Sequence, residues 1–424
     1  MYMRHFRPSR RSVLLGSAGV LASSRVSALT RAKQTAIFSS NPFCLSLDAA
    51  PAYVGQVATR SFSNSTHYAS TNGYNSRSAH YARTNISALS VGFANWWVPA
   101  GGAEQNGGNV GTYAASIEYP ANVFTQLMFN GATTGTISTL QTLFTDLVAI
   151  SIPKGALFWV RFYQTNTVGL FFQNTNVPVF NTSLGDSVDS GTSGNLTMGG
   201  TIVNSGVNQL VAPVAIVGPT NIPSIGIIGS SRFVGLQDTT PDATGDTGYC
   251  RMIGGTLPYM NMAIAGDTNA SVSGSGGALR RALVAKYCSH LWLDPGLNDL
   301  NGGASAATDL GYIAAMANAW PSLSRVIIND EGPWTTSSDG WTTTVNQTAE
   351  SWEAQRLALN SSIAALSGYN QIVKIAAYDT TSGSFWKNPA AGASQFTPDG
   401  IHENSATCIA IAAAGLFNPA LVHR

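Results

Sequence analysis

Residues Asn221 to Asp238 read NIPSIGIIGSSRFVGLQD. The run Ile225 to Ile228 is apolar apart from one glycine, leads into Gly229-Ser230-Ser231, and the turn closes at Gly235. A short apolar run bounded by turn formers has the pattern of a strand buried on both faces, as strands of parallel sheets are. Such a strand delivers Ser231 to the turn at its C-terminal end, the edge at which open α/β sheets hold their ligands. A single serine is more often a solvated loop hydroxyl, so the rest of the chain must decide.

Downstream, strand-like and helical runs alternate. Tyr259 to Ala265 and His290 to Leu293 read as strands, with the helical Ala278 to Tyr287 between them. Then come a strand at Arg325 to Asn329, an amphipathic helix at Gln347 to Leu366, a strand at Ile372 to Tyr378 and an Ala-rich helix at Ser405 to Leu416. This alternation predicts a three-layer α/β domain over residues 214–424 with a mainly parallel sheet. Right-handed crossovers bring the strand ends to one edge.

Several of those ends carry polar residues whose order is informative. Gly229-Ser230-Ser231-Arg232-Phe233-Val234-Gly235 resembles the G-D-S-x-x-x-G opening of the SGNH (GDSL-type) hydrolases, and Asn261 to Gly266 resembles their second element, a strand ending in a glycine. Gly296-Leu297-Asn298-Asp299 is similar to their G-x-N-D, and Asp399-Gly400-Ile401-His402 to their D-x-x-H. Each pattern alone recurs by chance, but together they stand in the family's order, over residues 221–416. The resemblance implies a flavodoxin-like fold and a serine esterase. Ser231 would then be the nucleophile, His402 the base and Asp399 its carboxylate partner. The backbone N–H of Ser231, the backbone N–H of Gly266 and the side-chain amide of Asn298 would form the oxyanion hole.

The chemistry suits these residue types. A serine hydroxyl needs a neighbouring base, imidazole titrates near working pH, and a carboxylate three residues away can fix the tautomer of the ring. No metal or organic cofactor is implied. Two positions depart from the family: Ser230 stands where aspartate is usual, and Arg232 where an apolar residue is usual. Arg232 and Trp386 are candidate substrate contacts, with a structural arginine that bonds backbone carbonyls and a packing tryptophan as the alternatives. Gly185-Asp186-Ser187 with Gly191 is a rival on letters alone. However, Val177 to Phe180 upstream is broken by Pro178, and residues 180–206 read as a polar loop.

Residues 80–213 differ in pattern. Leu89, Val91 and Phe93, then Tyr113, Ala115 and Ile117, then Phe158, Val160 and Phe162 alternate with their neighbours between Gly-rich turns, which predicts an all-β, jelly-roll-like sandwich. Trp96, Trp97, Trp159 and Tyr163 are read as core, with a sugar-stacking platform as the alternative. Residues 29–79 read as an irregular leader with no assigned element.

The N-terminus carries Ser9-Arg10-Arg11-Ser12, an apolar run to about Ser24 and small residues at Val26-Ser27-Ala28, the pattern of a twin-arginine signal over residues 1–28. The expectation is therefore a periplasmic or secreted protein with no membrane span in the mature chain. Of the 424 residues only 10% are charged, and the net charge is +1, which leaves no electrostatic footprint for nucleic acid. Cys44, Cys250, Cys288 and Cys408 fall in no metal-ligand spacing and are read as disulfide formers or small buried hydrophobes.

The leading expectation is an exported esterase that removes short acyl groups, acetyl above all, from a carbohydrate or another small ester. The alternatives are a polysaccharide O-acetyltransferase on the same site and a non-catalytic carbohydrate-binding protein. Oligomeric state is not legible.

Overall fold

The computed structural model describes residues 53–424 except 69–72, 107–109, 166–169, 173–179, 190–192, 205–209, 275–277, 377–379, 381–382 and 390–394. The expected signal segment and Cys44 lie outside the described residues.

The alternating apolar residues of the front half pair into two antiparallel sheets. One is built on Ile86–Ala94, which pairs with Ala215–Thr220, Thr142–Phe144 and Val148–Ile152, while Tyr53–Gln56 adds to Ala215–Thr220. The other runs Gly135–Ile137, Gly111–Glu118, Leu157–Thr165, Tyr74–Tyr81 and Ser187–Asp189, with Phe124–Leu127 also on Gly111–Glu118. Leu89, Val91, Phe93, Tyr113, Ile117, Phe158, Val160 and Phe162 are all buried in one core. Phe93 stacks on Phe162 with ring centroids 4.3 Å apart, joining one sheet to the other. Trp96 is fully buried and its indole donates to Thr142, while the ring of Trp159 is covered by the Arg77 guanidinium.

The back half forms a six-stranded sheet, parallel in every pairing. Its strands are β1 (Ser61–Phe62), β2 (Ile225–Ile228), β3 (Tyr259–Asn261), β4 (His290–Leu293), β5 (Val326–Asn329) and β6 (Gln371–Val373), in the order β1-β3-β2-β4-β5-β6. The chain steps from β2 to β3 on one side, then returns to β4 on the other, so the direction of winding reverses at β2. That reversal opens a crevice at the C-terminal ends of β2 and β4. The α-helices that lie wholly among the described residues are α1 (Ser231–Val234), α2 (Asn269–Ser273), α3 (Leu279–Ala285), α4 (Leu297–Asn301), α5 (Ala306–Asn318), α6 (Glu353–Ala364) and α7 (Ser405–Ala413).

Several local expectations need correction. Residues 53–68 and 73–79 are not irregular: they contribute to both antiparallel sheets, and Ser61–Phe62 forms the edge of the parallel one. Conversely, Ala215–Thr220, expected in the α/β half, pairs antiparallel with Ile86–Ala94 and Tyr53–Gln56. The helix expected from Gln347 begins only at Glu353, because Gln347–Ala349 pairs with Thr335–Ser337 as a hairpin. Of the strand expected at Ile372 to Tyr378, the described residues pair over Gln371–Val373, and residues 377–378 lie outside them. Helix α5 was not anticipated, although Ser305 caps it by accepting from the Thr308 N–H. Residues 182–184 form a 3-10 turn and Ser187–Asp189 a strand, where a polar loop was expected. Cys250, Cys288 and Cys408 are buried free thiols. Among the described residues no helix is long and apolar enough to cross a membrane.

Candidate functional site

Ser231 opens α1 directly after β2, so its backbone N–H belongs to the first turn, where amides have no partner within the helix. Gly229 is required on the way: a Cβ there would lie 2.6 Å from the Phe233 ring and 2.9 Å from Asp294 Cβ. Ser231 and His402 are nearly enclosed, with relative exposures of 8% and 9% as whole residues.

Three residues from the two ends of the back half form one hydrogen-bonded line. His402 Nε2 is 2.8 Å from Ser231 Oγ, and His402 Nδ1 is 2.7 Å from Asp399 Oδ2. A carboxylate only accepts, so Nδ1 carries the proton and donates to Asp399, leaving Nε2 to accept from the serine hydroxyl. Burial alone would raise the Asp399 carboxyl. The hydrogen bonds from the His402 ring and from the His402 and Ile401 backbone N–H groups outweigh it and hold the group far below the ordinary carboxylate range. An ionised Asp399 is the state that fixes the ring and stabilises an imidazolium.

The turn carrying these residues is tightly built. Gly400 has φ +79°, and a Cβ there would sit 1.9 Å from the Thr335 carbonyl oxygen and 2.7 Å from the Trp341 ring. Its carbonyl accepts from the Thr335 N–H and from the Trp386 indole.

The segments after β3 and β4 meet beside α1. Ile264 N–H donates to Gly229 O at 2.9 Å, which seats the chain after β3 along the turn that carries Ser231, and Gly266 follows with φ +79°. Asn298 Nδ2 donates to the Asp267 carbonyl at 2.8 Å, joining α4 to that same turn. Gly296 has φ +101°, and a Cβ there would strike the Asp309 carboxylate and the Asn269 amide. Asp299 accepts from the backbone N–H groups of Asn269 and Ala270. The G-L-N-D stretch thus supplies a bend, an amide aimed at the Gly266–Asp267 turn, and an acceptor for the start of α2.

The two departures at positions 230 and 232 are explained by their contacts, of which the partner of Ser230 was missed in the sequence and the carbonyl partners of Arg232 were one of its two expected readings. Ser230 Oγ donates to Asp294 Oδ2 at 2.5 Å, the Ser230 N–H reaches the same oxygen at 2.7 Å, and Gly296 N–H donates to Asp294 Oδ1 at 3.0 Å. A carboxylate at the end of β4 therefore organises the loop that an aspartate at position 230 would have organised from within. Its signal was available: Asp294 directly follows the strand His290 to Leu293.

Arg232 does not face a substrate. It is 5% exposed, donates through Nη2 to the carbonyls of Pro333 and Ile401, and its Nη1 lies 3.1 Å from Glu331 and 3.3 Å from Glu403. A buried guanidinium needs such partners, and these ones tie α1 to the His402 turn. Trp386 is likewise no cleft wall: it is fully buried and braces Gly400. The rival serine, Ser187, lies on a strand opposite Arg77, and its neighbour Asp186 is the buried ion-pair partner of Arg60 at 2.7 Å.

No family model and no curated protein matches the chain. Solved structures that resemble it include a GDSL-like lipase from Bacteroides thetaiotaomicron, at 17% identity and a TM-score of 0.32 over 45% of this chain and 84% of that one. An acetyl xylan esterase from the rumen bacterium Butyrivibrio proteoclasticus aligns at 10% identity and a TM-score of 0.28 over 88% and 94%. A family two carbohydrate esterase from Cellvibrio japonicus aligns at 8% identity and a TM-score of 0.29 over 85% and 96%. Likeness at these scores says nothing of activity or substrate, which must be argued from the site itself.

Proposed function

We propose that the chain is an exported SGNH-type serine esterase that removes short acyl groups, acetyl above all, from a carbohydrate. The observation that carries the reading is the unbroken line from Ser231 Oγ through His402 to Asp399. In the forward step Ser231 Oγ bonds to the ester carbonyl carbon as its proton passes to His402 Nε2. Collapse of the tetrahedral intermediate breaks the bond to the alcohol oxygen, which takes that proton. Water then attacks the acyl-enzyme by the same route, releasing the carboxylic acid and restoring the serine.

The backbone N–H groups of Ser231 and Gly266 and the Asn298 amide are the proposed oxyanion donors. Fixed donors of this kind are worth about 3 kcal/mol each in the transition state. The short acyl group rests on the resemblance of the motifs to those of SGNH esterases, the sugar carrier on the low-charge, hydroxyl- and amide-rich composition, and export on the twin-arginine pattern. The two antiparallel sheets, drawn from residues between Tyr53 and Thr220, are proposed as a β-sandwich packed beside a three-layer, flavodoxin-like domain.

Hydrolysis of p-nitrophenyl acetate and of acetylated polysaccharides by the purified chain tests the reading. Ser231→Ala and His402→Ala are each expected to lower kcat by about 10³-fold or more, whereas Ser187→Ala is not. Equal rates in wild type and Ser231→Ala would defeat the proposal.

A further inference from the structure

The loop between Trp97 and Gln105 belongs to the front half, yet it ends against the proposed oxyanion turn. Trp96–Trp97 pairs antiparallel with Gln105–Asn106, so residues 98–104 form the tip of a hairpin. The base of that tip is anchored by Asn64, whose amide donates to Trp96 O at 2.9 Å and whose carbonyl accepts from the Val98 N–H at 3.0 Å. At the far end the tip touches Gly266. A Cβ on Gly101 would lie 3.0 Å from the Gly266 carbonyl oxygen, and one on Gly266 would lie 3.3 Å from Ala100 Cβ.

Glu104, on the same tip, is almost wholly buried and accepts from the backbone N–H groups of Arg280 and Arg281, each at 2.8 Å. Its carboxylate also pairs with the Arg280 guanidinium at 3.2 Å and faces the fully buried Arg281 guanidinium, whose Nε lies 3.8 Å from Oε1, beyond hydrogen-bond reach. The other side of that guanidinium donates through Nη1 to Asp267 Oδ2 and to the Met262 carbonyl. Asp267 in turn offers its backbone carbonyl to Asn298 Nδ2. The result is a buried chain of charge from Glu104 through Arg281 to Asp267, with Gly266 and Asn298 attached to its end. A buried charge held by two partners has little freedom to move while both remain.

We infer that Glu104 is a positioning residue for the oxyanion hole, acting through Arg281 and Asp267 on Gly266 and Asn298. The inference rests on the esterase reading above. The turn at residues 264–267 lies beyond the end of β3 and is held at its start by the Ile264 N–H on Gly229 O and across itself by the Asp267 N–H on Ile264 O. Its remaining contacts include the Asp267 side chain and the Ala100–Gly101 backbone, and Glu104 bears on both, on the first through Arg281 and on the second through the hairpin tip that carries it. Loss of the carboxylate leaves Arg281 with one anionic partner and lets the hairpin tip retreat from Gly266. Oxyanion donors act only when held to within a fraction of an ångström, so the loss appears in turnover rather than in substrate binding.

The test is steady-state hydrolysis of p-nitrophenyl acetate by the full chain, with thermal melting of each variant alongside. Glu104→Gln, which keeps the shape and removes the charge, is expected to lower kcat about 10- to 100-fold with KM within about twofold of wild type. Glu104→Asp is expected to recover part of the loss. Arg280→Ala, which touches Glu104 but does not reach Asp267, is expected to keep the wild-type kcat. A merely structural role would lower the melting temperatures of Glu104→Gln and Arg280→Ala together and leave kcat of the folded fraction intact, and that overturns the inference. If Glu104→Gln does not fold, Arg281→Lys decides in the same assay. If neither folds, the network holds up the fold rather than the donors, and the inference is again overturned. Ser231→Ala run in parallel separates the two claims: Ser231-dependent turnover with an unaffected Glu104→Gln sinks only this inference, while turnover independent of Ser231 sinks the esterase reading and this inference with it.

Discussion

Ser230 and Asp294 divide between them the work of one side chain. The serine is short, so its hydroxyl and backbone N–H can both reach the Asp294 carboxylate, and the two residues are each 4% exposed. There is no room in this arrangement for a second negative charge. Ser230→Asp, which restores the letter usual in this motif, is expected to destabilise the fold by about 3 kcal/mol by setting two buried carboxylates against each other. It is also expected to lower turnover. Exchanging the pair in Ser230→Asp/Asp294→Ser leaves one carboxylate and recovers most of both losses. Urea unfolding and acetate-ester turnover of the single and double variants measure the coupling directly, and a Ser230→Asp protein as stable as wild type would contradict the account. The reading of Ser231, Asp399 and His402 was accessible from sequence because each lies in a short pattern with a fixed chemical task. The partner of Ser230 was not, because it depends on which strand lies beside β2, and position in the chain does not reveal that.

Elements that end in a functional residue were the legible ones. β2, β3 and β4 announced themselves as short apolar runs followed by glycine, aspartate or asparagine, and those polar ends are what the crevice is made from. The hairpin of Thr335–Ser337 and Gln347–Ala349 was illegible, since three-residue strands of threonine, serine, glutamine and alanine carry no period to read. Yet it supplies the Thr335 carbonyl and Trp341 ring that make Gly400 obligatory.

Helix α5 escaped notice because its buried side includes Ala306, Asp309 and Ala317, which give little contrast between faces. Its first turn carries Asp309, fully buried under Gly296. Burial, with the nearby Asp299 and Asp294 carboxylates adding to it, outweighs the hydrogen bond from Asn269 and pushes its carboxyl up to about 8 from the ordinary 3.8. Between those values the folded chain holds a proton that the unfolded chain has released, so this group subtracts stability progressively as pH rises from about 4 to about 8. Below about pH 4 both states are protonated and the effect vanishes. Asp309→Asn keeps the shape without the titration. It is expected to raise the melting temperature at pH 8 and to match wild type near pH 4, as followed by thermal melts across that range. A melting temperature lowered equally at both ends would refute the assignment.

At the scale of the whole described unit, two halves that read as separate in sequence exchange strands. Ala215–Thr220 closes an antiparallel sheet immediately before β2 begins, and Ser61–Phe62 reaches back to extend the parallel sheet beside β3. Neither pairing was legible: Ser61–Phe62 is too short to show a period, and Ala215–Thr220 takes partners, Tyr53–Gln56 and Ile86–Ala94, that lie far away in sequence. The physical gain is a closed edge for β3, and a rigid base from which the hairpin tip at residues 98–104 approaches Gly266. All of this matters to function only if one serine is activated at the crevice.

The most direct measurement is reaction of the intact chain with a fluorophosphonate, followed by mapping of the modified peptide. The account predicts a single adduct on Ser231, lost in His402→Ala and strongly slowed in Asp399→Asn, with Ser187 unmodified. An adduct on another serine, or labelling of Ser231 at an undiminished rate without His402, would contradict it.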